Sequence, residues 1–176
     1  SNPYSATKAA ADMLITAWGR THKIPYMILR PTNNYGIGQY VEKLIPKTVK
    51  LANLGRKIPL HNHGQPYRNW LHADDTAEAV LTIIDKGDIG AIYNIAGGFE
   101  QSNFDTVRSV FDSMGIDISD GGKENKHIDY SYSRPGQDVR YSLDDSKLRS
   151  LGWSPKKLFS KEIMSIVGYY KHKFIW

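Results

Sequence analysis

The hydrophobic and polar positions follow two different periods along the chain, which together predict an α/β protein. Apolar residues spaced three and four apart predict helices, whereas short runs rich in Val, Ile and Tyr predict strands. The apolar run at 26–30, which Pro31 ends, is typical of a strand buried in a parallel sheet. The predicted helices span 4–22, 42–54, 74–86, 104–114 and 160–171, with a short one near 144–148, and the predicted strands span 26–30, 57–61, 65–71, 91–96 and 127–130.

Two predicted helices carry an apolar stripe that indicates which side faces the core. The stripe residues are Ala77, Ala79, Val80, Leu81, Ile83 and Ile84 in one helix, and Ile163, Ile166, Val167 and Tyr170 in the last one. Polar residues that directly precede a helix are expected to cap it. The predicted caps are Asp74, Asn103, and either Asp144 or Asp145.

The composition is that of a globular domain. A chain of 176 residues with 40% hydrophobic and 23% charged residues can bury a real core. It contains no cysteine, which excludes disulfides and cysteine metal sites and fits a reducing compartment. No apolar run reaches the roughly 20 residues of a membrane span, and no signal peptide opens the chain. We therefore expect a soluble cytoplasmic protein with no membrane partner.

The net charge of +5 raises the question of nucleic acid, but its distribution argues against that partner. The positive residues are scattered, and the densest groups, at 156–157 and 171–173, lie near the C-terminal end. A substrate that carries a diphosphate accounts equally well for a few placed Arg and Lys residues.

The stretch 2–11 contains the clearest candidate chemistry. Pro3 suits the first turn of a helix, and Tyr4 and Lys8, four residues apart, share one helical face. A cation at that spacing stabilises a phenolate and so lowers the pKa of a tyrosine from its usual value of about 10. Such a tyrosine can pass a proton to or from a substrate hydroxyl or carbonyl.

The spacing alone also fits a solvated helical pair, whose contribution to stability is about 0.3 kcal/mol. A second match, Tyr169 and Lys173, occurs in the basic and aromatic C-terminal segment. The first match differs in context, because the alanines at 9–11 leave room for something to pack closely against the helix.

Several motifs along the chain occur together in one enzyme family. They are Pro-Tyr-Ser-Ala-Thr-Lys at 3–8, Asn-Asn-Tyr-Gly at 33–36, Glu-Lys-Leu-Ile-Pro at 42–46, Arg-Asn-Trp-Leu at 68–71, Tyr-Asn-Ile at 93–95 and Arg-Pro-Gly at 134–136. In this order and rough spacing, from residue 1 to about 171, the chain resembles the nucleoside-diphosphate-glucose 4,6-dehydratases of the extended short-chain dehydrogenase/reductase superfamily.

The resemblance implies the C-terminal part of a Rossmann-like parallel sheet together with a smaller, mixed α/β substrate-binding lobe. The first would take residues 1 to about 36 with later returns, and the second would take about 37–176, interleaved in one unit. The sequence contains no glycine-rich turn after a strand for a pyrophosphate. We therefore expect the C-terminal half of a longer homodimeric enzyme, or a truncated product, inactive or nearly so alone.

In such enzymes NAD takes a hydride from C4 of the hexose, water leaves across C5 and C6, and the hydride returns to C6. The resemblance implies that Tyr4 removes the 4-hydroxyl proton, that Lys8 holds the nicotinamide ribose, and that Asn34 contacts the cofactor. The acid–base pair for the elimination lies upstream of the tyrosine in relatives and is not in this sequence. The product would be the 4-keto-6-deoxy sugar.

The resemblance also implies a sugar-nucleotide site, for which other roles stay open at several positions. Arg68 could clamp the diphosphate or pair with Asp74 or Asp75, Asn33 could bind the ligand or shape a turn, and Lys43 could bind an anion or be solvated. Asn103 could contact the base or ribose as well as cap its helix. The implied substrate-binding residues are Asn33, Lys43, Leu44, Pro59, His61, Arg68, Asn103, Arg134 and Gln137.

Two departures from the family pattern leave the nucleotide open. His61 stands where thymidine-type members often have Tyr, and Gln137 replaces a His common in them. We expect dTDP-glucose, with a uridine nucleotide as the alternative. An epimerase of the same family and a non-catalytic nucleotide-binding module are the competing functions. His61, His63 and His72 are not expected to bind a metal, because no carboxylate completes a ligand set.

Overall fold

The computed structural model describes residues 2–118, 125–133 and 135–173, and these form an α/β fold. The helices are α1 (Pro3–His22), α2 (Leu44–Asn53), α3 (Ala73–Lys86), α4 (Asn103–Met114), α5 (Ser146–Arg149) and α6 (Phe159–His172). The strands are β1 (Ile28–Pro31), β2 (Asn33–Tyr35), β3 (Ile58–Pro59), β4 (Tyr67–His72), β5 (Ile92–Ile95), β6 (Phe99–Ser102), β7 (Ile128–Asp129) and β8 (Arg140–Tyr141). A 3₁₀ turn at His61–Gly64, called the His61 turn below, joins β3 to β4.

The strands form three sheets, and β4 is the central strand of the largest. In that sheet β2 and β8 both run parallel to β4, and β6 runs antiparallel to it. The other two sheets are parallel pairs, β1 with β5 and β3 with β7. The predicted parallel strand at 26–30 is therefore confirmed in type, although it begins at Ile28.

Helix α1 is well terminated but lies on the outside. The Asn2 side chain accepts a hydrogen bond of 2.9 Å from the Ser5 N–H, and Pro3 occupies the first turn, as expected for an N-terminus. Asp12 on α1 forms an ion pair of 2.6 Å with Arg30 on β1. Every residue of α1 is described and none is buried; Trp18, in its apolar stripe, is 58% exposed.

Three clusters of buried side chains form the core. The first packs α2, α4 and α6 against the large sheet and contains Tyr35, Ile45, Val49, Trp70, Val110, Phe159, Ile163, Ile166, Val167 and Tyr170. The second lies between α3, α5 and β5 and contains Leu71, Ala79, Ile83, Tyr93, Ile95, Leu148 and Trp153. The third surrounds β3 and β7 and contains Ile58, Leu60, Val107, Phe111, Ile118 and Ile128. The predicted inward face of the last helix is confirmed in full.

The predicted core face of α3 is too wide. Only Asp75, Ala79 and Ile83, which are one turn apart, are buried, whereas Leu81 and Ile84 are about two-thirds exposed. The reason is the 100° step of the helix: a residue two places after Ala79 points to its opposite side.

Two predicted N-caps are wrong by one or two positions. The cap of α3 is His72, whose Nδ1 accepts from the Asp74 N–H, and the cap of α4 is Ser102, whose hydroxyl accepts from the Asp105 N–H. In both cases a strand passes directly into a helix. Its last extended residue then becomes the cap, so Asp74 and Asn103 lie inside their helices.

Strand β6 has no counterpart among the predicted strands, because its four residues show no clear alternation of polar and apolar positions. It directly follows Gly97 and Gly98, where the chain turns closely over β4. A Cβ built on Gly97 would overlap the carbonyl oxygen of Trp70. Only glycine fits here because there is no room for a side chain; the φ angle of Gly97 is not the reason.

We expect Gly97→Ala to lower the free energy of unfolding by about 3 kcal/mol, because the added methyl group forces β4 and the β5–β6 connection apart. Chemical denaturation measures the effect. Gly168→Ala is the matched control: it lies within α6 with open space around the new Cβ, so helix propensity should raise stability by about 1 kcal/mol. A Gly97→Ala protein as stable as the wild type would contradict the close approach.

Candidate active site

Tyr4 and Lys8 lie one turn apart near the N-terminus of α1, as the spacing predicts. Both are exposed, Tyr4 by 72%. The Asn2 Nδ2 group donates a long hydrogen bond of 3.5 Å to the carbonyl of Gly136. This contact brings the start of α1 against the chain that leads into β8.

The second tyrosine–lysine match has a different setting. Lys173 Nζ lies 5.8 Å from the centre of the Tyr169 ring, at the C-terminal end of α6. This is a cation–π contact within one helix end, which accounts for the pair without a ligand.

Tyr141 is a candidate site residue that the sequence analysis did not identify. It is half-buried on β8, where it is the register partner of Arg68 on β4. Burial raises the pKa of Tyr141, and the nearby Tyr4 phenol raises it further, while Arg30 acts in the opposite direction. Tyr141 is therefore a neighbour of both Tyr4 and Arg68. A strand of two residues has no periodic pattern in the sequence. Only its pairing with the strand that carries Arg68 could have identified Tyr141.

Arg68 is held by main-chain oxygens at the junction of β4 and β8. Its Nη1 donates hydrogen bonds of 2.7 Å to the carbonyl of Tyr67 and 3.0 Å to that of Asp138. The carboxylates considered as its ion-pair partners bind elsewhere. Asp75 is buried and accepts hydrogen bonds of 3.0 Å from two backbone N–H groups, at 156 and 157, and Asp74 lies 3.7 Å from a lysine ammonium of the same segment.

An ion pair lies beside Arg68 at the edge of the sheet. Arg140 donates two hydrogen bonds, of 2.8 and 2.9 Å, to the two carboxylate oxygens of Glu100. These bonds hold the pKa of Glu100 below its ordinary value, and Asn69 contributes to the same shift. The pair braces β6 to β8 across β4.

The two asparagines of β2 occupy different environments at the end of the large sheet. Asn34 donates to the carbonyl of Thr32 at 3.0 Å and accepts from the Thr76 hydroxyl at 2.8 Å, so its amide shapes the loop. Asn33 is half-buried and is the register partner of Trp70. The turn-shaping alternative therefore has direct support at Asn34.

The predicted anion contact at Lys43 has a local partner. Lys43 precedes α2 without a capping side chain, and its Nζ lies 2.8 Å from Glu42 Oε1, with both side chains exposed. Leu44 is partly buried and packs against two of the core clusters. In the structure, Lys43 therefore forms a solvent-exposed ion pair with Glu42.

Several of the predicted substrate-binding residues lie around the His61 turn. Pro59 is in β3, which ends just before the turn, and His61 lies in the turn rather than in a strand. The His61 ring meets Tyr132 edge-on at 5.7 Å. Gln137 accepts a hydrogen bond of 3.1 Å from Asn62 Nδ2.

Asn103, the first residue of α4, also lies beside this turn. Its backbone N–H donates to the carbonyl of Pro66 at 3.0 Å, and α4 packs against the His61 turn. The other predicted clamp residue, Arg134, lies outside the described residues.

The described residues contain neither a group of metal ligands nor a membrane-spanning helix. Within the ranges that the structure covers, no three His, Cys, Asp or Glu side chains are grouped so that they could hold a metal ion. No helix among these residues is both long and apolar enough to cross a membrane.

Comparison with known proteins gives a family match over most of the chain. A family model described as GDP-mannose 4,6 dehydratase matches residues 1–166. The chain is 38% identical over 169 residues to the low-salt glycan biosynthesis protein Agl12 of Haloferax volcanii, covering 96% of this chain and 52% of that protein. It is 37% identical over 177 residues to dTDP-glucose 4,6-dehydratase 1 of Escherichia coli K12, covering 100% of this chain and 49% of the relative.

A solved structure agrees with the fold. The crystal structure of DesIV, a dTDP-glucose 4,6-dehydratase from Streptomyces venezuelae with NAD and TYD bound, matches with a TM-score of 0.88 at 36% identity, covering 97% of this chain and 51% of that one. The predicted fold class is therefore confirmed. The chain spans about half the length of the curated relatives it matches.

We expect Arg140→Gln to raise the pKa of Glu100 toward its ordinary value, because both charged hydrogen bonds to the carboxylate are lost. An NMR titration of the Glu100 carboxyl group measures the change. In the wild type the pKa is lowered by folding, so the pair stabilises the protein above the ordinary pKa of about 4.3, and this contribution fades as the pH falls below it.

The matched control is Arg108→Gln, whose arginine lies 3.8 Å from Asp105 on α4 and should leave Glu100 unchanged. An equal shift in both variants would mean that net charge, not the ion pair, sets the pKa of Glu100.

Proposed function

The chain belongs to the GDP-mannose 4,6 dehydratase family, and on this basis we propose that it carries the proton-transfer tyrosine and the sugar-nucleotide lobe of an NAD-dependent nucleoside-diphosphate-glucose 4,6-dehydratase. The enzyme would convert the nucleotide-bound glucose into the 4-keto-6-deoxy sugar with loss of water. dTDP-glucose is the favoured substrate, since dTDP-glucose 4,6-dehydratases are among the relatives.

The observation that supports this proposal most directly is that Tyr141 neighbours both Tyr4 and Arg68. The Tyr141 phenol lies near that of Tyr4 on α1, and Tyr141 is the register partner of Arg68 on β4. In a nucleoside-diphosphate sugar, the reacting hexose is attached to the outer phosphate. A site with a proton-transfer group beside a diphosphate clamp therefore matches the geometry of the substrate.

Tyr4 accepts the proton of the sugar 4-hydroxyl at its phenolate oxygen. Lys8, one turn along the same face, keeps a positive charge beside that oxygen and binds ribose hydroxyls. When bound, NAD supplies a transient hydride acceptor for C4. Tyr4 and Lys8 are exposed and can therefore reach this cofactor. Asn34 would influence cofactor binding through the loop that its side-chain amide shapes. The acid and the base of the water elimination are not among the residues proposed here; in relatives they lie upstream of the tyrosine.

Arg68 and Arg134 bind the diphosphate, since a guanidinium forms two parallel hydrogen bonds with phosphate oxygens. Asn33 contacts the sugar, and Lys43 exchanges its exposed pairing with Glu42 for the anion. The base lies against the remaining residues. These are Leu44, Pro59, His61 and Asn103, with Gln137 behind the His61 turn.

The same proposal covers the organisation of the protein. Residues 1 to about 36, with β5, would complete a Rossmann-like sheet, and the rest would form the nucleotide lobe. We also propose a homodimer in the cytoplasm, where nucleotide sugars are made and used.

The proposal is tested with the full-length protein, dTDP-glucose and UDP-glucose, with products analysed by mass spectrometry. Loss of water from either substrate supports it, and the faster one identifies the base. A product of unchanged mass with an inverted C4 would instead identify an epimerase. Nucleotide binding without turnover would identify a binding module.

We expect Tyr4→Phe to lower kcat by roughly 10²- to 10⁴-fold, the usual size of a general acid–base contribution. Tyr40→Phe, which also removes an exposed phenol, is the control and should leave kcat unchanged. Equal rates for Tyr4→Phe and the wild type would exclude Tyr4 as the proton-transfer group.

We expect Arg68→Ala to weaken binding of a nucleoside diphosphate by about 10- to 100-fold, because a charged hydrogen-bonding partner of the phosphates is lost. Binding of the corresponding nucleoside should not change. Calorimetric titration measures both affinities, with the exposed Arg56→Ala as the charge-matched control. Equal losses for nucleoside and diphosphate would place Arg68 away from the phosphates.

A further inference from the structure

The His61 turn contains two of the three non-glycine residues with a positive φ among the described residues. Asn62 (φ 50°, ψ 43°) and His63 (φ 53°, ψ 20°) are both in the left-handed region, next to each other and with neither being glycine. Residues with a side chain adopt this region at a cost, and such strain persists only where the surroundings hold it.

The chain that faces the turn supplies what holds it. We call residues 130–133 and 135–138 the facing segment. The Asn62 backbone N–H donates to the carbonyl of Tyr132 at 3.1 Å, and Asn62 Nδ2 donates to Gln137 Oε1 at 3.1 Å. The latter bond joins side chains 75 positions apart. Asn62 thus binds the facing segment at two points.

The neighbouring rings cover the same contact. His63 stacks on Tyr130 with ring centres 5.6 Å apart, and His61 meets Tyr132 edge-on. Just before the turn, the Leu60 N–H donates to the carbonyl of Asp129 at 2.9 Å, which continues the β3–β7 pairing. Every side chain of the turn that could line a base site is therefore positioned by the facing segment.

One polar atom of the turn has no protein partner. Among the described residues, the Nδ1 atom of His61 is buried and makes no hydrogen bond. Buried polar atoms are nearly always paired, so an unpaired one indicates a place for a ligand or a water molecule. His61 is also the residue that the proposed function assigns to the base.

We propose that Asn62 is a positioning residue for the nucleotide: through Gln137 and Tyr132 it fixes the distance between the His61 turn and the facing segment, the two walls of the base site. This inference rests on the proposed function. In this arrangement Gln137 acts through its hydrogen bond with Asn62. The strained turn is the form that binds, and the Asn62 bonds hold it in that form before the ligand arrives.

The Asn62 side chain can be removed without disturbing the left-handed backbone of the turn. Asn62→Gly removes the amide but keeps the backbone conformation, which glycine adopts without strain. Gln137→Leu removes the acceptor from the other wall. The dissociation constants of dTDP and UDP are measured by calorimetric titration for the wild type, both single variants and the double variant of the full-length protein, well below their melting temperatures.

We expect each single variant to bind about 5- to 10-fold more weakly, the size of one net hydrogen bond. The double variant should bind no more weakly than either single one, because both remove the same bond. Ile163→Val, a core change far from the turn, is the stability-matched control and should leave both dissociation constants unchanged while lowering Tm by a few degrees.

Unchanged affinity in Asn62→Gly, or multiplicative losses in the double variant, would overturn the positioning role while the proposed function stands. An equal loss of affinity in Ile163→Val would assign the effect to stability and would overturn it as well. Absence of nucleotide binding in the wild type would overturn the proposed function and, with it, the role of Asn62.

Discussion

The buried amide of Asn69, in the middle of β4, joins the four-stranded sheet to the β1–β5 pair. Its Oδ1 accepts hydrogen bonds of 3.2 Å from the Thr32 hydroxyl and 2.9 Å from the Gly97 N–H. Thr32 lies between β1 and β2, and Gly97 lies between β5 and β6, so one side chain aligns the points where the chain crosses between sheets. Arg68 precedes this residue, and its position relative to Tyr141 and Tyr4 depends on that alignment.

Local patterns predicted the elements of this fold well and their ends less well. The helix at 160–171 was correct in type and core face because its apolar residues repeat at the helical period. The caps His72 and Ser102 were missed because a cap is defined by where a strand stops, which depends on the partner strands. The exposure of Leu81 is likewise a tertiary property, because it depends on which side of α3 meets β4 and β5.

The candidate site divides in the same way. Tyr4, Lys8 and Arg68 were identifiable because their spacing or their motif is local. Tyr141 and the Asn62–Gln137 bond were not, because each depends on two segments that are far apart in sequence. The proposed roles of the family residues rest on the resemblance, to which the structure adds the position of Tyr141 next to both Tyr4 and Arg68.

The outside position of α1 has a consequence for how order is distributed in the molecule. A helix of 20 residues with no buried side chain is held mainly by its own backbone bonds and the Asp12–Arg30 pair. Its amide hydrogens should therefore exchange with solvent much faster than those of α6. The tyrosine–lysine pair thus lies on a helix that has no buried residue among those described. Any surface that covers Leu14 and Trp18 would, by thermodynamic linkage, also order Tyr4 and Lys8.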